Sequence, residues 1–400
     1  MTNIKNSMRD KFNNTAEAFR HRSDQELRQL VLLFRLLSTK WISKFGMIAM
    51  NYFGRLQLSV LHTFTRFIFR PFFAGTSLAE SESTVAHLSN YGVYSYLNYA
   101  IEDCWKEKEF DHNSQIIQKL LVHAASSKHV PFSVCKPTAL GHKHLFQKIN
   151  AQQKLTDPEK LSYNRVIDRF RDCCSIAKAH GVVLLIDAEE YHMQFAIDQI
   201  VIDLMKEFNT SKAVVYNTIQ LYLTDGNDRL QQMHLRSQEH SFHLGLKLVR
   251  GAYMEKERKR AKKLGIPSPI CKTKSETDEN YNRAIAYCLN NRSNISILMG
   301  SHNEESMILA VEIMTKNNIK NNDENVWFSQ LLGMSDHISF TLAKEGYNVV
   351  KFIPFGPMHK LVPYLIRRAE ENTAIAGQSS RELALLRKEV HRRSTLAKAS

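Results

Sequence analysis

The sequence lacks the compact motifs that mark the common metal and nucleotide sites. Its six cysteines include no CxxC pair, and no His/Cys cluster has the spacing of a zinc site. HExxH is absent, no GxxxxGK(S/T) phosphate loop exists, and no GxGxxG lies between a predicted strand and a predicted helix. We therefore predict no metal site, no Rossmann dinucleotide site and no P-loop. Any cofactor must bind through a different arrangement.

Long apolar runs are missing as well. The longest one near the N-terminus, residues 45–54, is stopped by Lys44 and Arg55 and falls short of the roughly 20 residues that span a bilayer. The first residues lack the order of a secretory signal, and acidic residues such as Asp10 and Glu17 argue against a transit peptide. Because the cysteines fit reduced thiols, we predict a cytoplasmic protein, with peripheral contact to the inner face of the cell membrane as a further option.

The charge balance is strongly positive. Lys and Arg number 54 against 40 Asp and Glu, and the resulting +14 suits nucleic acid, an anionic membrane surface or an acidic ligand. The chain has none of the signatures of RNA-binding modules, so we expect no nucleic-acid partner, and a basic nucleic-acid-binding protein stays the alternative from another class. Four hundred residues that are 43% apolar suit one large domain with an extension.

Residues 1–85 are predicted to form an N-terminal helical region. Ser23 and Glu26 have the spacing of a capping box, and the apolar residues behind them repeat at helical spacing. Residues 47–73 are apolar, aromatic and punctuated by arginine, which fits either helices packed on a larger domain or a membrane-surface patch. At the other end, residues 381–400 are predicted to form a basic helix or tail.

Between these segments, residues 86–380 alternate short β-branched or apolar runs with helix-like stretches. Eight such units over about 280 residues predict a (β/α)8 TIM-like barrel, and a doubly wound open sheet is the alternative. The predicted strands span residues 92–99, 130–135, 182–186, 213–218, 245–249, 295–299, 326–331 and 348–353.

Polar side chains cluster at the ends of these predicted strands. In a barrel the loops after the strands build the active face, so these residues are expected to lie together there. A single polar residue after a strand is usually a turn residue, and the prediction depends on their recurrence. They are Lys136, Asp187, Asn217, Arg250, Ser301, His302 and Asn303.

Residues 361–372 are predicted to form an amphipathic helix. Tyr364, Arg367, Arg368 and Glu371 share one face at spacings of three and four residues. That face is either an ordinary solvated side or a clamp for a carboxylate, which arginine binds through its planar fork.

Four sequence motifs in this chain resemble the proline dehydrogenase family and occur in that family's order. They are LIDAEE (185–190), KLVRGAY (247–253), GSHN (300–303) and YLIRRAEEN (364–372). The similarity spans roughly residues 92–377, and the last motif is the most specific. The N-terminal stretch FNNTAEAFRHRSDQEL is similar to the single-function form of the family.

The resemblance implies a distorted (β/α)8 barrel with FAD at its C-terminal face. It implies oxidation of L-proline to Δ1-pyrroline-5-carboxylate, with electrons passed to a membrane quinone. Asp187 would organise the catalytic centre, and Lys247 would lie near flavin N5. The implied substrate residues are Lys136, Arg367 and Arg368 at the carboxylate and Tyr253, Leu331, Phe352 and Tyr364 around the ring. The implied FAD contacts are Ala188, Asn217, Lys247, Val249, Arg250, Gly251, Ala252, Lys274, Thr277, Ser301, His302 and Glu371.

Three positions depart from the family pattern. Phe352 stands where the family often has tyrosine, which leaves hydroxyproline dehydrogenase of the same family as an alternative. Asn217 stands where bacterial relatives commonly have glutamine, and Lys247 stands where many have arginine, so the fork geometry is lost. A flavin-free barrel such as an aldolase is a further alternative.

The basic residues near the two ends suggest a membrane contact. Arg387, Lys388, Arg392 and Arg393, together with residues 66–70, form a hypothetical docking site for anionic lipid near the quinone. The other interpretation of the C-terminal cations is a solvated helix.

Overall fold

The computed structural model of the protein describes residues 2–38, 69–100, 104–358, 360–361 and 378–399. Its eight strands form a closed barrel in the order in which they occur along the chain. All strand pairs with a defined register are parallel. The predicted (β/α)8 TIM-like barrel is therefore confirmed, and the alternative of an open doubly wound sheet is wrong.

Each strand overlaps one of the eight predicted runs, and β4 and β8 each continue two residues beyond their predicted ends. The strands are β1 (Tyr94–Tyr99), β2 (Phe132–Cys135), β3 (Val183–Ile186), β4 (Val215–Gln220), β5 (Leu244–Val249), β6 (Ile295–Gly300), β7 (Val326–Leu331) and β8 (Val349–Phe355).

Helices precede the barrel, alternate with its strands and follow it. In the described ranges the α-helices are α1 (Thr2–Phe12), α2 (Thr15–Ala18), α3 (Asp24–Ser38), α4 (Leu78–Ser89), α5 (Glu107–Ala125), α6 (Lys143–Asn150), α7 (Asp157–His180), α8 (Tyr191–Phe208), α9 (Gly226–Glu239), α10 (Met254–Leu264), α11 (Lys274–Asn290), α12 (Glu304–Lys316), α13 (Asp336–Lys344) and α14 (Gln378–Ala399). Two short 3₁₀ helices lie at Arg70–Phe72 and Pro137–Ala139.

Local sequence signals explain why some of these helices begin and end where they do. Thr156 and Glu159 form a capping box at the start of α7, and Gly181 ends that helix in the left-handed conformation with φ 67°. Ser23 and Glu26 form the predicted box before α3, with Ser23 N donating to Glu26 Oε2 at 2.8 Å and Glu26 N donating to Ser23 Oγ at 3.3 Å.

Contacts between Cα atoms divide the chain into two compact units, residues 1–100 with 330–400 and residues 101–329. In the second unit, aromatic side chains near the starts of β2, β4 and β7 pack against one another. Phe132 packs edge-on against Trp327 at 5.0 Å and against Tyr216 at 6.3 Å between ring centroids. Glycine is required at position 245 because a Cβ there would lie 2.4 Å from Cδ1 of Tyr216.

In the first unit, the N-terminal helices pack on the barrel helix α13 and on α14. Asp336, at the start of α13, accepts from His21 at 3.1 Å, from Arg22 at 2.9 Å and from Lys351 at 2.9 Å. Glu382 of α14 accepts from the backbone N–H of Ser335 at 2.8 Å. Within the first unit, therefore, the helices of residues 2–38 are anchored to α13 and α14.

Part of the sequence predictions falls on residues 39–68, which lie outside the described ranges, so the two interpretations of the apolar stretch at 47–73 stay open. The predicted boundaries at residues 85 and 380 also stay predictions. None of the helices within the described residues has the length and apolar character needed to cross a membrane. All six cysteines lie in the described ranges and are free thiols in the structure.

Candidate active site

An ion pair lies inside the barrel at the ends of its strands. Lys247 projects from β5, and its Nζ is 2.6 Å from Oδ1 of Asp187, the residue that follows β3. Both β3 and β5 pair with β4, so the two side chains meet across that strand. Lys247 is only 7% exposed. A carboxylate at this distance compensates the buried ammonium.

A buried carboxylate joins the loops after β2 and β3. Oε1 of Glu189 accepts from the N–H and the Oγ1 of Thr138 at 2.8 and 2.7 Å. Burial raises the pKa of Glu189, while the nearby Lys136 acts in the opposite direction. Lys136 directly follows β2 and is half-buried, two residues before Thr138. Glu189 thus fixes the loop that carries Lys136, a role that sequence reasoning missed although the LIDAEE motif contains this residue.

Arg250, directly after β5, is the centre of a second polar cluster. Its guanidinium donates to Asp278 at 2.8 Å, to Ser301 Oγ at 2.6 Å and to Ser306 Oγ at 2.9 Å. It also lies 4.4 Å from the ring centroid of Tyr281. These contacts hold the arginine in one orientation at the ends of β5 and β6.

The same cluster extends to the start of α11. Asp278 also binds Nζ of Lys274 at 2.5 Å. Thr277 is half-buried beside it, and its Oγ1 donates to the carbonyl of Thr273 at 3.3 Å. His302 is half-buried in the loop that follows Ser301. The structure therefore brings together Arg250, Ser301, Lys274 and Thr277, and their contact with FAD stays a prediction.

The RGAY segment continues the strand-end cluster. Gly251 has φ +133°, and a Cβ there would lie 2.4 Å from the ring of Tyr222, so only glycine fits. Val249 and Tyr253 are half-buried and Ala252 is exposed. Tyr253 immediately precedes α10, and Nζ of Lys256 lies 5.6 Å from its ring centroid.

Asn217 is not brought to this cluster. Its Nδ2 donates to Asp198 of α8 at 2.9 Å and contacts the sulfur of Met233 of α9, so the side chain faces the surrounding helices. This corrects the expectation of a flavin contact from Asn217. Gln220 lies three residues further on β4 and hence on the opposite face, toward the interior. In the part of the chain that the structure describes, nothing donates to its buried Oε1.

Two predicted substrate residues belong to the first unit. Phe352 of β8 is 7% exposed, and its ring meets that of Tyr96 edge-on at 5.2 Å. The carbonyl of Leu331 accepts from Nζ of Lys351 at 3.3 Å. The predicted clamp face with Tyr364, Arg367, Arg368 and Glu371 lies outside the described residues.

One further group of ligand-type side chains lies in the second unit. Glu190, His192 and Glu257 bring their donor atoms within 4.8 Å of one another. Lys256 is 3.7 Å from Glu190, and Gln147 is 2.7 Å from His192 Nε2. A hydrogen-bonded ion-pair network accounts for this arrangement.

A parallel eight-stranded barrel with charged residues at its strand ends is the architecture of a TIM-barrel enzyme. Residues 81–381 match the family model described as proline dehydrogenase. Proline dehydrogenase 1, mitochondrial, of Dictyostelium discoideum is 30% identical over 426 residues, which cover 95% of this chain and 74% of that protein. The hydroxyproline dehydrogenase of Xenopus laevis is 30% identical over 412 residues, covering 94% of this chain and 88% of that protein.

Among solved structures, proline utilization A (PutA) from Bdellovibrio bacteriovorus gives a TM-score of 0.74 at 20% identity. The match covers 94% of this chain and 42% of that one, and this likeness shows the fold alone. Because the family model matches residues 81–381, which are most of this chain, the chain belongs to the proline dehydrogenase family. The prediction of an oxidoreductase of this family is confirmed.

Proposed function

We propose that this protein oxidises L-proline to Δ1-pyrroline-5-carboxylate with bound FAD and passes the electrons to a membrane quinone. The observation that carries the proposal is the strand-end cluster within the family match, with Arg250 fixed by Asp278 and Ser301 beside the Lys247–Asp187 pair. Charged groups held in fixed positions suit a ligand with anionic ends.

The residues present fit a flavin dinucleotide. Oε1 of Gln220 is a buried acceptor without a donor in the described ranges, and it suits an N–H of the flavin ring. Arg250 and Lys274 supply cations for a diphosphate. The other residues that would hold the cofactor are Ala188, Lys247, Val249, Gly251, Ala252, Thr277, Ser301, His302 and Glu371.

Bound FAD would supply the acceptor for the hydride, which carries both electrons away from proline, and the chain must position the substrate. We assign the proline carboxylate to Lys136, Arg367 and Arg368. The proline nitrogen has to be neutral before the carbon beside it can lose a hydride. Because both are cations, Lys136 and Lys247 disfavour an additional positive charge on a nearby nitrogen. The proton released from nitrogen passes to solvent.

A spectrum of the purified protein tests the cofactor and the substrate together. The protein should be yellow, and L-proline added without oxygen should bleach the flavin band. A colourless protein that binds no FAD after reconstitution, or a flavin that proline does not reduce, contradicts the proposal. Addition of a short-chain ubiquinone to the bleached enzyme should restore the colour.

Substitution of the arginine pair tests the carboxylate assignment. Arg367→Ala and Arg368→Ala should each raise KM for proline roughly a hundredfold while FAD stays bound, because charge-assisted hydrogen bonds to the carboxylate are lost. Arg171→Ala is the matched control, since Arg171 is an exposed residue of α7 that pairs with Glu207. Unchanged KM in both test variants removes the clamp from the proposal.

A second candidate activity is oxidation of 4-hydroxyproline. Phe352 has no hydroxyl, and its ring packs against Tyr96. This side of the proposed substrate pocket is therefore less polar than a tyrosine would make it. The similarity to the Xenopus hydroxyproline dehydrogenase favours this test as well. The ratio of kcat/KM for L-proline and trans-4-hydroxy-L-proline decides between the two substrates.

A further inference from the structure

Helix α10 presents a concentrated exposed basic surface in the second unit. It carries six Lys and Arg against two Glu, and one of those, Glu257, is buried. Ala261 faces inward with Glu257, so the outward side is left to lysine and arginine. In the part of the chain that the structure describes, Lys259, Lys262 and Lys263 form no ion pair.

Two large apolar side chains lie at the end of this helix. Leu264 is 51% exposed and Ile266 is 53% exposed, and every residue from 262 to 268 is exposed. We name Lys259, Lys262, Lys263, Leu264 and Ile266 the α10 surface. Apolar side chains beside unpaired cations are the composition of a surface that inserts shallowly into anionic lipid.

The backbone holds the apolar tip in place from both sides. Gly265 ends α10 in the left-handed conformation, and the N–H of Ile266 donates to the carbonyl of Ala261 at 3.1 Å. After the turn, Thr224 N donates to the carbonyl of Pro269 at 2.9 Å, and Ile270 pairs with Leu223. Because the loop is anchored at each end, Leu264 and Ile266 are displayed at the surface by a fixed scaffold.

The cations near the C-terminus are engaged differently. Arg393 binds Asp24 at 2.8 Å and Glu389 at 2.7 Å, and Lys388 donates to the carbonyl of Asn13 at 3.0 Å. These contacts join α14 to the N-terminal helices. The tail cations are therefore largely used in packing, in contrast to those of α10.

We infer that the α10 surface docks the protein on an anionic lipid bilayer, with the lysines at the headgroups and Leu264 and Ile266 at the acyl boundary. Nucleic acid fits this surface less well, because residues 259–268 offer no aromatic side chain for base stacking, whereas Leu264 and Ile266 suit an acyl boundary. The inference deepens the proposed function, in which electrons pass to a membrane quinone, and vesicle binding tests it separately from the oxidation of proline.

Sedimentation of the full-length, flavin-loaded protein with vesicles tests the inference. The protein should sediment with vesicles of phosphatidylcholine and phosphatidylserine, and not with phosphatidylcholine alone. Each lysine near an anionic surface contributes about fivefold in affinity, so the variant K259Q/K262Q/K263Q should bind roughly a hundredfold more weakly. High salt should have the same effect on the unaltered protein.

Matched variants separate this surface from a general charge effect. K119Q/K128Q/K154Q removes the same charge at exposed lysines elsewhere in the second unit and should bind vesicles like the unaltered protein. L264S/I266S should weaken binding and remove most of the binding that persists in high salt, whereas L161S/L235S, at two other exposed leucines, should not. Circular dichroism and proline oxidation with a soluble dye should be unchanged in all four variants.

Three results overturn the inference. They are equal binding to neutral and anionic vesicles, equal binding by the two triple variants, and binding to an RNA or DNA oligonucleotide without binding to anionic vesicles. Because vesicle binding and dye-linked oxidation are measured separately, failure of one proposal is distinguishable from failure of the other.

Discussion

Nζ of Lys247 and Oδ1 of Asp187 lie 2.6 Å apart across the strand that separates β3 from β5. The two side chains are 8% and 18% exposed, so removal of one charge leaves the other nearly buried and without its ion-pair partner. Breaking a buried pair from one side costs much more than replacing both members, which makes this pair suitable for a double-mutant cycle.

Asp187→Asn should lower the free energy of unfolding by about 3 kcal/mol and reduce kcat/KM at least a hundredfold. The double variant Asp187→Asn/Lys247→Met should recover most of the stability, because no buried charge is left unpaired, but none of the activity. Urea unfolding and dye-linked proline oxidation measure the two effects. If the double variant regains activity, the pair has only a structural role.

Substitutions of Gln220 and of Asn217 should have different effects on FAD binding and on stability. Gln220→Ala should weaken FAD binding about tenfold, the worth of one buried hydrogen bond, with little change in the stability of the FAD-free protein. Asn217→Ala should lower that stability by about 2 kcal/mol, since Asp198 loses a donor, and should leave the FAD dissociation constant unchanged. Fluorescence titration with FAD distinguishes them. The reverse pattern would restore the assignment made from sequence.

Gly251→Ala should destabilise the protein by about 3 kcal/mol, because φ of +133° strains an L residue and the new Cβ overlaps the ring of Tyr222. Gly265→Ala is the comparison, since Gly265 also has positive φ but its added Cβ would have no heavy atom within 4 Å. That variant should lose only about 1 kcal/mol. Equal losses in thermal unfolding would show that backbone strain alone accounts for the effect at Gly251.

Stability should fall between pH 6.5 and pH 4 through His21. Burial lowers the pKa of His21 from 6.5 to about 4, although its bond to Asp336 acts in the opposite direction. The unfolded chain therefore binds a proton over this interval that the folded chain does not, and stability is lost as pH falls. The effect amounts to roughly 3 kcal/mol.

Comparison of variants isolates this contribution from other titrations in the same core. Burial raises the pKa of Glu382 to about 7, which makes stability rise as pH falls from 7. The unfolding free energy of His21→Gln, measured relative to the unaltered protein, should therefore rise by roughly 3 kcal/mol as pH falls from 6.5 to 4. His112→Gln, at an exposed position of α5, should not. Parallel pH profiles for all three proteins contradict the role of His21.

The sequence alone was sufficient to predict the number, order and approximate bounds of the strands and several helix ends. Strands and helices alternate with clear differences in composition, and signals such as Thr156, Glu159 and Gly181 act locally, so no tertiary contact is needed to recognise them. Recurrent polar residues at strand ends likewise predicted that Asp187, Arg250 and Ser301 lie at one end of the barrel, because the topology places all strand ends on one side. Lys247 was named only through the resemblance to the family.

Only the tertiary structure decided which side chain of β4 faces inward. All six residues of that strand are buried, since helices cover one side and the barrel interior fills the other. A strand buried on both faces shows no alternation of polar and apolar residues, so the sequence gives no basis for choosing Asn217 or Gln220. The bond from Glu189 to Thr138 and the α10 surface were beyond sequence reasoning for a related reason. Each depends on which residues distant in sequence, or which faces of a helix, the folded chain covers.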